Sequence, residues 1–362
     1  MTLNKPTVCA AMSGGVDSSV AAALLLQQGY DVIGMTMRVT PSAAAFDAAE
    51  DARRAAEWLG IPHHVAGYEE RFERDVIQDF VSEYLAGRTP NPCFRCNRKV
   101  KFGALLEKAM DLGADYFATG HYVRKVERGG RVAVRRARYL AKDQSYALAG
   151  LRQEQLRRIL YPLGELTKEE VRETARSLGL LNSEKSESQE ICFVPGDNYH
   201  RFLVERAGPG EPGPIVNRAG EVLGQHKGLM HYTVGQRKGL GIAAPRPLYV
   251  LELDTHRNAL VVGYAEETYF HKLLASEVIW GATENPSQSF PCWAQIRYNH
   301  HPAPATAHVT PDGLQIVFDE PERAVAPGQW AVLYDEEGVV LAAGLIERGI
   351  SVGEETSAPA GG

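Results

Sequence analysis

The nine residues 11–19, Ala-Met-Ser-Gly-Gly-Val-Asp-Ser-Ser, constrain the fold of this chain more than any other stretch. An apolar run at residues 7–12 precedes the glycines and predicts a short buried strand. A helix rich in small residues is predicted to follow, over about residues 18–28, and Gly29 ends it. Two adjacent glycines let the backbone pass close to a ligand. A strand, a glycine turn and a helix N-terminus in this order form an anion site that suits phosphate.

This loop matches neither of the two common nucleotide-binding loops, because it lacks both Gly-x-x-x-x-Gly-Lys and Gly-x-Gly-x-x-Gly. It resembles instead the pyrophosphate loop (PP-loop) of the ATP pyrophosphatases, which cleave ATP to AMP and pyrophosphate. The alternative is a plain glycine turn in which Asp17 only caps a helix. The resemblance implies that Asp17 helps to hold a magnesium ion near the departing pyrophosphate.

Length and composition indicate a globular protein with a sizeable core. The chain has 362 residues, of which 44% are hydrophobic, so two or three domains are expected. No apolar run is long enough to span a membrane, and a strand begins too early for a signal peptide. Five cysteines in a chain of this length indicate working thiols rather than a disulfide framework, which predicts a cytoplasmic protein.

The net charge of −6 argues against a broadly basic surface for nucleic acid, but two local segments are basic. Both suit RNA phosphates, although a solvated hairpin face is the alternative for the second segment. The first segment contains no acid and carries Arg88, Arg95, Arg98, Lys99 and Lys101. The second has few acids nearby and carries Arg124, Lys125, Arg128, Arg131, Arg135, Arg136, Arg138 and Lys142.

Alternating strand and helix patterns predict an α/β fold with a Rossmann-like parallel sheet over residues 1–207. A glycine- and proline-rich cluster follows at 208–214, and helical periodicity largely disappears beyond it. Short strands predict a small, mostly-β central domain over 208–271. Longer alternating stretches predict a β-barrel over 272–352. Residues 353–362 are predicted to be a disordered tail.

Two cysteine-containing stretches carry chemistry. Two prolines fix an extended loop before Cys96, and Asn97 is predicted to cap the helix that follows. This would place Cys96 at a helix N-terminus among cations, where the pKa of a thiol falls and the thiolate is favoured. Cys192 lies at the edge of a short apolar run about a hundred residues later.

Six motifs occur in a single order along the chain, and as a set they are highly specific. They are Ser-Gly-Gly-Val-Asp-Ser, Thr-Pro-Asn-Pro-Cys-x-x-Cys-Asn, Ala-Thr-Gly-His-Tyr, Lys-Asp-Gln-Ser-Tyr, Ser-Gln-Glu-Ile-Cys-Phe and Thr-Val-Gly-Gln-Arg-Lys-Gly-Leu. Together they resemble the tRNA-specific 2-thiouridylases, the bacterial MnmA family. The resemblance extends from about residue 7 to residue 347, and it implies an adenine nucleotide alpha hydrolase-like first domain.

The resemblance implies an enzyme that activates the C2 carbonyl of the wobble uridine, position 34, with ATP. The products of this step are an O-adenylated base and pyrophosphate, and sulfur from a cysteine persulfide then displaces AMP to give 2-thiouridine. Cys96 matches the nucleophile of the family, and Cys192 matches the cysteine that carries the persulfide. The positions that match ATP-binding residues are Ala11, Met12, Ser13, Gly14, Gly15, Val16, Asp17, Ser18, Met37 and Gly120.

The resemblance also implies where tRNA binds, and it makes the central domain over 208–271 a tRNA-contacting domain. Asn91, Pro92 and Cys93 match residues that meet the target base. Positions that match other tRNA contacts are His121, Lys142, Asp143, Gln144, Arg297, Tyr298 and Gln329. Expected partners are tRNAs for Glu, Gln and Lys, and a sulfur-relay protein or cysteine desulfurase, with the chain itself a monomer. ATP and Mg²⁺ are the expected cofactors.

Cys93 leaves part of the chemistry open. Some family members have an Asp at this position with a proton-transfer role, which a cysteine cannot simply inherit. Cys93, Cys96 and Cys192 could instead hold an iron–sulfur cluster with one open iron for sulfide. A structural zinc site would need four ligands, and the sequence has no second Cys-x-x-Cys. In the persulfide mechanism Cys96 and Cys192 must approach disulfide distance, with Cα atoms within about 7 Å, in at least one state.

Two competing functions explain less of the chain. Another ATP pyrophosphatase, forming an amide or amidine on a small metabolite, would account for the first loop but not for the cysteines or the barrel. A tRNA-binding protein without catalysis would leave an intact pyrophosphate loop unused.

Overall fold

A computed structural model describes residues 5–180, 191–194, 196, 198–284, 286 and 288–351. The predicted tail at 353–362 lies outside these residues, as does the Ser-Gln-Glu part of the motif that contains Cys192. Within the described residues, no helix combines the length and the apolar character needed to cross a bilayer.

The predicted α/β fold with an N-terminal parallel sheet is confirmed. Five strands pair in the order β3-β2-β1-β4-β7, all parallel, and β5 and β6 form a separate antiparallel hairpin. The strands of this region are β1 (Thr7–Ala11), β2 (Asp31–Arg38), β3 (His63–Gly67), β4 (Tyr116–Ala118), β5 (Val123–Arg128), β6 (Arg131–Arg136) and β7 (Ile159–Leu160).

Helices cover both faces of this sheet, and two of them contain π-helical turns. The first two are α1 (Val16–Gln27) and α2 (Ala43–Leu59). Helix α3 runs continuously through Glu69–Phe72, Glu73–Ile77 and Gln78–Leu85, and α4 through Pro92–Cys96, Asn97–Leu105 and Leu106–Asp111, the middle part of each being π-helical. The others are α5 (Ser145–Leu148), α6 (Gln153–Arg158), α7 (Lys168–Ser177) and α8 (Tyr199–Ala207).

Two all-β units follow, as predicted. A four-stranded sheet has the order β10-β11-β8-β9, and a closed six-stranded barrel has the order β12-β15-β14-β13-β16-β17. The sheet consists of β8 (Gly213–Val216), β9 (Val222–His226), β10 (Tyr249–Asp254) and β11 (Ala259–Gly263). The barrel consists of β12 (Tyr269–Trp280), β13 (Phe290–Gln295), β14 (Ala303–Thr310), β15 (Gly313–Arg323), β16 (Trp330–Tyr334) and β17 (Val340–Ser351).

The barrel and the α/β region share one hydrophobic core. Trp330 and Tyr334 of β16 are 1% exposed and lie in the same buried cluster as Phe94, Phe117 and Tyr146 of the α/β region. The barrel therefore buries apolar side chains on its outside as well as its inside, which fixes its position against α4.

An aromatic cluster holds the chain next to Cys192. Phe193 makes edge-to-face contacts with Phe72, Phe80 and Phe202, with ring centroids 5.6, 5.4 and 5.3 Å away. Such pairs add to the energy of burial. Phe193 is 7% exposed, so the residue beside Cys192 is anchored on α3 and α8.

We expect Phe193→Ala to lower the free energy of unfolding by about 3 kcal/mol, because a buried ring is replaced by a cavity. Urea unfolding would measure this loss. The substitution should also change the rate at which iodoacetamide alkylates Cys192. Phe318→Ala, in the barrel core, is the matched control: it should cost similar stability without changing that rate. Equal alkylation of Cys192 in both variants would contradict the anchoring role.

Candidate functional site

The loop between β1 and α1 has the features of an anion site. Helix α1 begins at Val16, and among the described residues no side chain caps its first turn. The Ser18 hydroxyl accepts the backbone N–H of Ser13 at 3.1 Å and donates to the Gly15 carbonyl at 3.0 Å, which folds the loop over the helix start. The Thr36 hydroxyl of β2 donates to the Met12 carbonyl. Backbone N–H groups at such a helix start attract phosphate.

Two positions of the site must be glycine because the backbone of another segment approaches each of them closely. Gly14 has φ +73°, and a Cβ there would lie 2.4 Å from the Ala48 carbonyl oxygen. A Cβ on Gly120, at the turn after β4, would lie 2.8 Å from the backbone of both Asp17 and Ser18. The structure therefore brings Gly120 against the pyrophosphate loop, as expected for two turns at the carboxyl ends of adjacent parallel strands. Met37 is half-buried near the end of β2.

A buried lysine, Lys168, pairs with the Asp17 carboxylate of this loop, and the sequence analysis did not identify it. Lys168 is 6% exposed, and its Nζ lies 2.7 and 2.9 Å from the two carboxylate oxygens of Asp17. The Tyr122 hydroxyl donates to the same carboxylate at 2.7 Å. Lys168 is the first residue of α7, where the helix dipole disfavours a cation. A lysine in that position was a signal that an anion lies nearby.

The cysteine stretch forms a helix earlier than predicted, which corrects the placement of Cys96. Asn91 rather than Asn97 is the cap, because its side-chain oxygen accepts the backbone N–H of Phe94 at 3.0 Å. Asn97 is buried and donates to the Ala147 carbonyl instead. Cys93 thus lies in the first turn of α4, and Cys96 lies in its interior rather than at an N-terminus.

The expected low pKa of Cys96 is also wrong. Burial raises the pKa of its thiol to about 12. The Lys101 ammonium and the Lys101 backbone N–H act in the opposite direction but do not outweigh burial. Burial likewise raises the pKa of Cys192 to about 11 and raises that of Cys93. Solvent reaches Cys93 and Cys192, and the protein atoms around them still disfavour a thiolate.

The three thiols lie within electrostatic reach of one another and of one cation. The pKa of Cys96 responds to Cys192 and Cys93, and Lys101 lowers the pKa of all three. All five cysteines of the chain are free, and Cys9 and Cys292 are buried elsewhere. In the part of the chain that the structure describes, no three His, Cys, Asp or Glu side chains form a group that could hold a metal ion.

His121 lies between Lys101, which is near the thiols, and Gly120, which packs on the pyrophosphate loop. It follows Gly120, and its Nε2 lies 3.5 Å from Lys101 Nζ while its Nδ1 lies 2.7 Å from the Thr119 hydroxyl. Burial, and to a lesser degree Lys101, lower the pKa of His121 well below its usual value, so the ring is neutral. Nε2 then accepts from the ammonium, and Nδ1–H donates to Thr119.

The residues predicted to contact tRNA divide into two groups. Tyr298 is 46% exposed and packs edge-to-face on Tyr146, and Lys142 is half-buried. The second group is held by these hydrogen bonds: Arg297 donates to the Arg323 carbonyl, Asp143 accepts from Ala137, Ser145 and Arg136, Gln144 accepts from Tyr122, and Gln329 donates to Thr89 and Pro90.

Acids from distant parts of the chain pair with both basic segments, so neither is the open cationic surface that the sequence pattern indicated. Arg88 pairs with Glu83 and Glu347, and Arg95 and Arg98 pair with Glu277. The second segment pairs chiefly with acids around the barrel, through Arg124–Glu165, Arg128–Asp335, Arg128–Glu337, Arg131–Glu284 and Arg136–Asp143.

Comparison with known proteins covers nearly the whole chain. Residues 6–196 match the family described as "tRNA methyl transferase HUP domain", residues 200–264 its PRC-barrel domain, and residues 270–346 an "Aminomethyltransferase beta-barrel domain". The tRNA-specific 2-thiouridylase MnmA of Carboxydothermus hydrogenoformans is 47% identical over 361 residues, covering 96% of this chain and 99% of that protein. The protein of the same name from Geobacter metallireducens is 49% identical over 363 residues, covering 96% and 98%.

The raised thiol pKa values predict slow alkylation at neutral pH in the free protein. Because only the thiolate reacts, and Cys192 has a pKa of about 11, its rate with iodoacetamide should rise about tenfold per pH unit between pH 7 and 10. Mass spectrometry of each cysteine peptide would follow this. In the urea-unfolded chain, the control, the rate should level off near the ordinary thiol pKa. A plateau below pH 9 in the folded protein would contradict the assignment.

Proposed function

Because this chain belongs to the family of tRNA-specific 2-thiouridylases, we propose that it is a tRNA sulfurtransferase that uses ATP to replace the O2 oxygen of uridine 34 by sulfur. One observation carries the proposal from the geometry. Gly120 packs on the pyrophosphate loop, and the next residue contacts Lys101, whose charge acts on three thiols. A nucleotide site and a set of thiols thus border the same region.

In the first step we propose that uridine O2 attacks the α-phosphorus of ATP. The bond from that phosphorus to the bridging oxygen breaks, pyrophosphate leaves, and the N3 proton is lost. The free N–H groups at the start of α1 bind the departing phosphates. Asp17 is the carboxylate that would hold Mg²⁺, which supplies charge neutralisation when bound. Lys168 provides a positive charge beside the same carboxylate in the structure.

In the second step the terminal sulfur of a Cys192 persulfide attacks C2, the C2–O bond breaks and AMP leaves. The base is then joined to Cys192 through a disulfide. The Cys96 thiolate attacks the Cys192 sulfur, which releases 2-thiouridine, protonated again at N3, and forms a Cys96–Cys192 disulfide. A thiol reductant restores both cysteines, and a sulfur-relay protein or cysteine desulfurase reloads Cys192. The electrostatic coupling of these two thiols supports the relay.

We propose the tRNA for Glu, Gln or Lys as the macromolecular substrate, and contacts from the barrel and the cysteine helix to the anticodon. Asn91 at the start of α4 hydrogen-bonds Tyr146, whose ring meets the exposed Tyr298. A target base could reach Cys93 past these side chains, because Cys93 is exposed in the first turn of that helix.

The decisive experiment incubates the protein with ATP, Mg²⁺, a persulfide donor and a tRNA containing uridine 34. Nucleoside mass spectrometry should detect 2-thiouridine, and AMP should form only when tRNA is present. Cys96→Ser and Cys192→Ser should each abolish thiolation, whereas Cys292→Ser, which removes a buried barrel thiol, should retain it. Full thiolation by Cys96→Ser would overturn the proposed relay, and the absence of any tRNA-dependent AMP would overturn the proposed activity.

Lys168→Met should raise the KM for ATP by about tenfold or more, because the loop loses its buried cation. It removes the cation that pairs with Asp17 and leaves the carboxylate its hydrogen bond from Tyr122, so a loss of stability of about 3 kcal/mol should accompany it. The double variant Asp17→Asn/Lys168→Met separates the two effects, since it should recover most of the stability but not ATP use. Lys125→Met, which removes a half-buried lysine that donates to the Ile159 carbonyl, is the matched control. An unchanged KM in Lys168→Met would exclude Lys168 from the nucleotide site.

A further inference from the structure

The barrel strand β12 contains a bulge that places one carboxylate against the cysteine helix α4. The register of β12 against β17 shifts between Ser276 and Ile279, and Glu277 within this gap has φ +45°. A non-glycine residue in this left-handed region carries conformational strain, which persists only when the surroundings impose it. Bulges also change the direction in which a side chain points.

The side chain of Glu277 reaches two arginines on α4. One carboxylate oxygen lies 3.2 Å from an Arg95 nitrogen and 3.3 Å from an Arg98 nitrogen. These arginines lie on either side of Cys96 in sequence. Burial raises the pKa of Glu277, but the two guanidinium groups outweigh it and hold the carboxylate charged. Glu277 thus bridges the two arginines of the turn of α4 that carries the thiol, while Arg95 also pairs with Asp79 of α3 at 3.3 Å.

The barrel holds the same turn from a second direction. The ring of Phe94 stacks on that of Trp330, with centroids 3.9 Å apart and planes 12° from parallel, and the Arg95 guanidinium lies 5.7 Å from the Trp330 ring. Gln329 donates to the Thr89 carbonyl at 2.8 Å just before the helix. With stacking on one residue and ion pairs from another, α4 can neither rotate about its axis nor slide along it without losing one of these contacts.

We propose that Glu277 is a positioning residue for sulfur transfer: the strained bulge of the barrel sets the rotation of α4 and thereby aims Cys96. This inference rests on the proposed function. Misplacing a reacting group by about 1 Å can cost about a hundredfold in rate. Glu277 lies on the barrel and carries no part of the nucleotide loop, so its loss should affect the sulfur step more than the adenylation step.

The test is Glu277→Gln, which keeps the shape of the side chain and removes its charge. Pyrophosphate and 2-thiouridine are measured in the same single-turnover reaction, because pyrophosphate leaves on adenylation whereas AMP leaves only when sulfur attacks C2. We expect the rate constant of tRNA-dependent pyrophosphate formation to stay within about twofold of the parent protein and that of thiouridine formation to fall about tenfold, so that the ratio of the two rate constants rises. Glu337→Gln is the matched control, because it removes another carboxylate that pairs the barrel with the α/β region, through Arg128. This control should leave the ratio unchanged.

A second measurement needs neither ATP nor tRNA. Amide hydrogen exchange of the peptide containing residues 93–98 should accelerate by about threefold or more in Glu277→Gln and remain unchanged in Glu337→Gln. Unchanged exchange together with an unchanged ratio of the pyrophosphate and thiouridine rate constants would overturn the positioning role. Should the parent protein fail to thiolate tRNA, the proposed function would fall, while the exchange result would still decide whether Glu277 holds the helix.

Discussion

The close approach of Gly120 to the backbone of Asp17 and Ser18 is the constraint on which the site depends. It holds the turn after β4 against the loop after β1, at a distance that no side chain permits. Because β1 and β4 are adjacent parallel strands, their carboxyl ends meet at one edge of the sheet. His121 continues from Gly120 toward Lys101 on α4. The pairing of these two strands therefore helps to set the distance between the pyrophosphate loop and the thiols.

Local signals in the sequence predicted the elements of this frame well. Strand β2 coincides with an apolar run, Asp31–Arg38, and a Thr-x-x-Glu capping box at Thr167 and Glu170 starts α7. The loss of helical periodicity near residue 208 correctly indicated β structure, and the barrel closes as predicted. Strand bounds and helix caps depend on residues a few positions apart, so they can be predicted from a short stretch of sequence.

The errors arose where distant residues decide the outcome. Arg95 and Arg98 have no acid nearby in sequence, yet they pair with Glu277, about 180 residues away along the chain. The pairing of Asp17 with Lys168, 151 residues away along the chain, also escaped the sequence analysis. Asn97, the predicted cap before Cys96, instead donates to the Ala147 carbonyl 50 residues away, and Asn91 makes the capping hydrogen bond. Pairing between sequence-distant residues cannot be read from composition or periodicity.

The π-helical part of α4 explains how a buried thiol can still react. With i→i+5 spacing, a residue five positions after Cys96 comes back to the same side of the helix, and that residue is Lys101. Its backbone N–H and its ammonium both act on the Cys96 sulfur, although burial outweighs them in the free protein. A cation beside a thiol is the feature that favours a thiolate when the balance with burial shifts. The same geometry therefore disfavours the thiolate in the free protein and places beside it the cation that stabilises a sulfur anion.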